Sequence, residues 1–307
     1  MDPLEGCDPD GDTSIGLMAA ALVRGHRVAC CTAADLSLVD GGVRARARPV
    51  GISGATVAAT GPARDRGLDA TDVVLVRTDP PVDADYLAMT LLLEFARDTT
   101  LVVNDPRGLR EANEKLYACR FPELMPPTVV TAEAATLLAF AERHDGAVLK
   151  PLDGHGGAGV VRLSARAPDG PALVAAATGD GTRAVMAQQF LPGVADGDRR
   201  ILLVDGEPLG ALNRHPAPDE FRANIGLGAS VEVVELDHRD RRIVEALAPS
   251  LRADGLWFVG IDVIDGHLSE VNVTSPTGLR QLARLSGGRP DLTVIERLER
   301  RVVGDGS

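Results

Sequence analysis

The apolar positions of this chain fall into two patterns. Up to about residue 105, helical stretches alternate with short buried runs. Asp12, Thr13 and Ser14 offer N-caps to an apolar helix that stops at Gly25, and VACCTA (28–33) follows as a strand. DVVLVR (72–77) and LVVN (101–104) are further short strands, separated by a helix over about 84–97. This order predicts an open α/β layer. Such a layer normally opens on a buried strand, whereas Met1-Asp2-Pro3 is loop-like. The expectation is that the true start lies upstream or that the sheet is a smaller one. Residues 106–121 read as a helix carrying NEKLYACRF, and PPT (126–128) marks a linker.

Beyond the linker the period changes to paired strands. AVLKPL pairs with VVRL, RRILLVDGEPLGAL folds about Asp205-Gly206, and LWFVGIDVIDGHLSEVNV folds about Asp265-Gly266. Asp-Gly between apolar strands is a strong hairpin signal. Helices over 133–144 and 239–253 separate these pairs, so the second half predicts antiparallel sheet with helices packed on it.

Composition narrows the function. The chain has 307 residues, 45% of them hydrophobic, enough for two or three compact lobes. Aromatics are only 3%, so the core must rest on Ala, Val and Leu. A net charge of -12 argues against sequence-independent nucleic-acid binding, which needs a basic face. Cys7, Cys30, Cys31 and Cys119 have neither zinc-site nor redox-pair spacing and are expected to be reduced. With no leader and no membrane-length apolar run, the expected compartment is the cytoplasm.

The richest chemistry lies in VLKPLDGHGGAGVVRL (148–163). Gly154, Gly156, Gly157 and Gly159 let backbone amides approach an anion, and Lys150 adds a fixed positive charge. Three of these glycines match GxGxxG, but the dinucleotide version needs a helix after the turn, and VVRL is a strand. No Lys-Ser or Lys-Thr follows, which excludes the P-loop. A flap between two strands covering a triphosphate fits better than a merely flexible hairpin.

GIDVIDGHLSEVNVTSP (260–276) places Glu270 and Asn272 two apart on a strand, facing one way. Such oxygen ligands suit magnesium beside phosphates. Asp262 joins them only if an odd number of residues separates the strands. A two-residue turn aims it at the opposite face, and a three-residue loop with Gly266 left-handed aligns all three. Arg77, Arg200, Arg214, Arg222 and Arg280 form a third group. Arg77 ends a buried strand, where open sheets bind ligands, and Arg214 and Arg222 flank a Pro- and Gly-rich loop that could close over substrate. No Ser-His-Asp or Cys-His arrangement stands out, and His155 lies within the flap.

The blocks MDP, RTDPP, VNDPRGLREANEKL, LKPLDGHGGAGV, MAQQFLP, DGDRRILLVDGEP, VGIDVI and SEVNVTSPTG, in this order, resemble prokaryotic glutathione synthetase, an ATP-grasp family, over nearly the whole chain. The resemblance implies an N-terminal α/β substrate domain (1–105), a small ATP-grasp lobe with the flap (106–185) and a large lobe (186–303). It also implies two antiparallel sheets gripping ATP, and a homotetramer. The implied reaction joins γ-glutamylcysteine to glycine, with ATP giving ADP and phosphate through an acyl phosphate. Nucleotide contacts are implied for Lys115, Lys150, Gly154, Gly156, Gly157, Gln188, Gln189, Leu191 and Asp198. Asp198 also matches the peptide and acyl-phosphate site, beside Arg200, Arg214 and Arg222 as catalytic arginines. Asp262, Glu270 and Asn272 match ligands of magnesium, with manganese as a substitute.

Some positions depart from the family pattern. Thr78 stands where a lysine is frequent, HPAPDEFRANIGLGA is a less glycine-rich lid, and Gly278 replaces a bulkier residue. These leave room for another ATP-grasp ligase with a different amine or γ-glutamyl substrate, or for a non-catalytic nucleotide-binding relative. The joint presence of Lys115, Lys150, Glu270 and Asn272 speaks against the last.

Overall fold

The computed structural model describes residues 1–54 and 56–304. Helix α1 (Thr13–Val23) begins where the Asp12 carboxylate accepts from the amides of Ser14 and Ile15. The strand expected over 28–33 shrinks to β1 (Ala29–Cys30), because a 3-10 turn with a Thr32–Asp35 capping box interrupts it. Strands β2 (Leu36–Val39), β3 (Gly42–Ser53), β4 (Thr56–Ala59) and β5 (Arg64–Gly67) follow, and all pair antiparallel with the long β3, as β1 does. This five-stranded sheet lies mostly between residues 33 and 72, where the apolar pattern predicts no strand. Its driving force is an alternation of small size: Val43 and Ala45 turn inward while Arg44, Arg46 and Arg48 meet Asp65, Asp35 and Glu5 outside.

The parallel layer itself is a single pair. Strand β6 (Val73–Leu75), helix α2 (Ala84–Glu94) and strand β7 (Leu101–Val103) make one βαβ unit. Among the described residues β6 pairs only with β7, and an apolar cleft lined by Leu17, Met18, Leu36, Leu68 and Ile295 runs beside it. Helix α3 (Pro106–Glu111) stops ten residues short of the expected end at 121. The residues that follow serve the active site instead.

Two antiparallel sheets form the rest. Strands β8 (Thr128–Thr131), β9 (Ala147–Pro151), β10 (Val161–Leu163) and β11 (Val185–Gln189) order as β10-β9-β11-β8. Helices α4 (Ala134–Arg143) and α5 (Gly170–Thr178) cover this sheet, with Leu137, Ala141 and Val174 packed on Leu149, Leu163 and Val185. Strands β12 (Asp198–Val204), β13 (Glu207–His215), β14 (Ser230–Val234), β15 (Phe258–Ile264) and β16 (His267–Asn272) order as β14-β13-β12-β15-β16. Helix α6 (His238–Ala253) buries Ile243, Leu247 and Leu251 at four-residue spacing against it. Each such side chain stabilises by roughly 1.5–3 kcal/mol. Helices α7 (Leu279–Ser286) and α8 (Pro290–Val303) return to the N-terminal region, where Val294, Ile295 and Leu298 join Leu17 and Ala20. The four cysteines are free, and among the described residues no helix is long and apolar enough to cross a membrane.

Candidate active site

A cleft opens between the two antiparallel sheets. It encloses about 830 Å³ of empty space, open solvent at its mouth included. Three consecutive residues after α3 tie its parts together. Asn113 Nδ2 donates to the Leu152 carbonyl at the base of the flap, while its Oδ1 accepts from the amides of Lys115 and Leu116. Glu114 Oε1 accepts from the amides of Val273 and Thr274 and from Thr274 Oγ1. Lys115 Nζ donates to the Gly154 carbonyl at 2.6 Å. A continuous helix would point these side chains apart by about 100° each, which is why the segment turns.

Lys115 and Lys150 are both buried and converge on one carboxylate. Glu270 Oε1 lies 4.0 Å from Lys115 Nζ and 3.6 Å from Lys150 Nζ. Lys150 also donates to Ser269 Oγ at 2.8 Å. Among the described residues, no donor hydrogen-bonds to the Glu270 carboxylate. It is a charged acceptor with unused lone pairs beside two cations.

The strand parity that sequence left open is resolved by a bulge. The β15–β16 turn has two residues, with Asp265 at φ 56 and Gly266 at φ 74. Val263 then faces Leu268, but Asp262 faces Glu270, and Ser269 is the extra residue between them. A bulge puts two residues opposite one. The two-residue turn alone would aim Asp262 at the opposite face, and the extra residue in the strand restores its alignment with Glu270.

Asp262 sits in a row of alternating charges across three strands. Arg200 lies opposite Asp262, and Asp198 opposite Arg214. Arg200 donates Nε to Asp262 Oδ1 at 2.6 Å and Nη2 to Oδ2 at 3.0 Å. Arg214 Nη2 lies 2.7 Å from Asp198 Oδ2 and 3.0 Å from Asp262 Oδ1. Burial raises the proton affinity of Asp262, but Arg200 and Arg214 outweigh it and hold its carboxyl well below the usual range. For Asp198 burial, helped by the negative charge of Asp262, outweighs the pull of Arg214 and Arg200 and pushes it up to about 6.

The cleft walls take different parts of a ligand. Pro126, Val148, Phe190, Leu191 and Ile264 make an apolar slot, with Gln188 and Gln189 at its edge. Gly154, His155, Gly156 and Gly157 line the roof. Gly157 has φ 81, and a Cβ there would come within 2.6 Å of Asn224 Oδ1 in the lid. A Cβ on Gly154 would come within 2.9 Å of the Ala158 carbonyl. Arg222 lines the cleft directly, whereas Arg200 and Arg214 are not among the lining residues and stand behind Asp262.

Two family models together match most of the chain. Residues 1–110 match the model described as prokaryotic glutathione synthetase, N-terminal domain, and residues 114–287 match its ATP-grasp domain. The chain belongs to the prokaryotic glutathione synthetase family. Relatives named glutathione synthetase include one from Parasynechococcus marenigrum (strain WH8102), 48% identical over 299 residues, covering 97% of each chain. Another, from Pseudomonas syringae pv. tomato, is 41% identical over 312 residues and covers 98% of this chain and 96% of its own. Among solved structures, the ATP-grasp ligase PsnB complexed with minimal precursor aligns over 94% of both chains, with a TM-score of 0.63 and 17% identity. D-alanine–D-alanine ligase from Bacillus anthracis complexed with ATP covers 78% of this chain and 83% of its own, with a TM-score of 0.53 and 18% identity. These two share the ATP-grasp fold.

Glutathione synthetases of this family are ATP-dependent carboxylate–amine ligases that work with a divalent metal. The donor set fits such an ion. Glu270 faces two lysines but accepts no hydrogen bond among the described residues, and Asn272 donates Nδ2 to the Gly260 carbonyl and to Asp262 Oδ2, with no donor to its own carbonyl oxygen among those residues. One or two carboxylates beside nucleotide phosphates are what a small hard cation takes.

The remaining arginines separate. Arg77 is buried between Ser14 Oγ and the Pro276 carbonyl, with Nη1 unpaired among the described residues. Burial lowers its guanidinium to about 10. Arg280 instead holds the Pro9 carbonyl and packs on Gly16, away from the cleft. Glu114, Asn113, Ser269 and Glu220 were not singled out from sequence. The only signal for the first two was their place beside Lys115.

Proposed function

We propose that this chain couples ATP cleavage to the joining of γ-glutamylcysteine and glycine, with Mg²⁺ as the metal and an acyl phosphate as intermediate. The observation that carries the reading is the convergence of Lys115 and Lys150 on Glu270 beneath the glycine flap. A carboxylate is a poor electrophile, and phosphorylation gives it a good leaving group. The transition state spreads negative charge over phosphoryl oxygens, so positioned cations do most of the work.

In this reading the slot between Pro126, Val148 and Leu191 takes adenine, with Gln188 and Gln189 at its rim. Lys150 and Lys115 meet the phosphates, and the amides of Gly154, Gly156 and Gly157 cover them. Glu270 and Asn272, backed by Asp262, would hold the metal, which when bound neutralises phosphate charge. Arg222 reaches the transferring group from the lid. Arg200 and Arg214 act by holding Asp262 and Asp198 in place. Closure of flap and lid keeps water from the acyl phosphate.

The same reading divides the chain into an N-terminal substrate domain (1–105), a small lobe (106–185) and a large lobe (186–303). It expects a homotetramer working in the cytoplasm. The test is ADP release by purified protein with ATP, Mg²⁺, γ-glutamylcysteine and a panel of amines. Glycine-dependent release supports it. Release that prefers another amine, or none with any, overturns it.

A further inference from the structure

The lid that carries Arg222 has little regular structure of its own. Between β13 and β14 its chain makes only a turn at Ala217–Glu220 and a 3-10 turn at Ile225–Leu227. An arginine on such a loop has many rotamers, and ordering one costs conformational entropy. Something local must select one.

Glu220 has the geometry to do so. Its Oε1 accepts from the amides of Phe221 and Arg222, at 2.9 and 3.0 Å, and from Arg222 Nε at 3.0 Å. Its Oε2 accepts from Arg222 Nη2 at 2.6 Å. The carboxylate thus closes a ring with both the backbone and the guanidinium of the residue two positions on. Bidentate pairing of this kind fixes the plane of the fork as well as its distance. The direction it fixes is informative, because Arg222 Nη1 then donates to the Gly157 carbonyl in the flap at 2.9 Å. Asn224 and Leu227 pack on the same glycine.

We propose that Glu220 is the positioning residue of the lid: it holds Arg222 in the orientation that faces the cleft and latches lid to flap. The inference rests on the reading that Arg222 serves phosphoryl transfer. Glu220 itself is not among the residues that line the cleft. A plain surface ion pair would do nothing for turnover, so the two roles separate experimentally.

The experiment compares Glu220→Ala, Glu220→Gln, Arg222→Ala and the Glu220→Ala/Arg222→Ala double variant by kcat and by KM for ATP, with thermal unfolding of each. Glu220→Ala is expected to lower kcat roughly 10- to 100-fold, the loss of one charge-assisted pair, with the melting temperature near that of the parent. Glu220→Gln, which keeps a neutral acceptor, should fall between. The double variant should be no slower than Arg222→Ala, because a residue that acts through another adds nothing once that other is gone. A fully active Glu220→Ala overturns the proposal, as does a double variant slowed by the same factor as in the parent. Full activity in Arg222→Ala overturns the lid reading itself. An inactive Arg222→Ala beside an active Glu220→Ala overturns the positioning role alone.

Discussion

Lys150 Nζ and Glu270 Oε1 stand 3.6 Å apart across the cleft, one on each antiparallel sheet. Neither sheet alone holds both charges, so the pair measures how the two lobes face each other. A nucleotide bound against the pair would meet a cation carried by one sheet and a carboxylate carried by the other.

Glu270→Gln removes the charge and keeps the shape. It is expected to lower ADP release at least a hundredfold, about 3 kcal/mol of barrier, while the melting temperature stays near that of the parent. Near-parental turnover would contradict the role of Glu270 as a metal ligand.

Arg200→Met should act on folding as well as on turnover. It leaves the buried Asp262 with Arg214 as its remaining guanidinium, and breaking a buried pair typically costs about 3 kcal/mol or more. Urea unfolding measures it. A stability within 0.5 kcal/mol or so of the parent, the range of surface substitutions, would show that the charged row does not hold the sheet.

Asp198 gives the row a pH signature. Burial raises its carboxyl to about 6, so the folded chain holds a proton there that the unfolded chain releases near pH 4. That contribution is present at low pH and is lost as pH rises through about 6. Asn at this position should therefore flatten the fall in stability between about pH 4 and 6. An unchanged slope would place the raised group elsewhere.

Glu114→Ala should cost about 2–3 kcal/mol, since three donors at Val273 and Thr274 lose one charged acceptor. It should also weaken Mg²⁺ activation, because the same contacts steady the strand of Asn272. A stable variant with unaltered metal dependence would make Glu114 incidental.

How much of this was legible in the chain depends on the distance over which each feature is encoded. EVNV announced its own alternation, and Asp205-Gly206 and Asp265-Gly266 announced their hairpins, because turn and period are local. The bulge at Ser269 was not legible: whether a strand holds an extra residue depends on what Lys150 needs from the opposite sheet. The pairing of Arg200 with Asp262, sixty-two residues apart, needed β12 and β15 to be neighbours. The ribbon of 36–67 was hidden by its alanines and arginines, which carry the period of a strand without its usual apolar bulk. The helix expected over 106–121 failed because Asn113, Glu114 and Lys115 each answer to a different partner in space.

Flap and lid should report nucleotide together. ATP with Mg²⁺ is expected to protect bonds within 154–159 and 216–229 from limited proteolysis. Equal cleavage with and without nucleotide would count against both as closing elements.

The most direct test is equilibrium binding of ATP, with and without Mg²⁺, to the parent, Lys150→Met and Glu270→Gln. Lys150→Met should weaken binding under both conditions, while Mg²⁺ should tighten binding to the parent and not to Glu270→Gln. Parental affinity in Lys150→Met, or an equal gain from Mg²⁺ in Glu270→Gln, would contradict a single nucleotide shared by the two sheets.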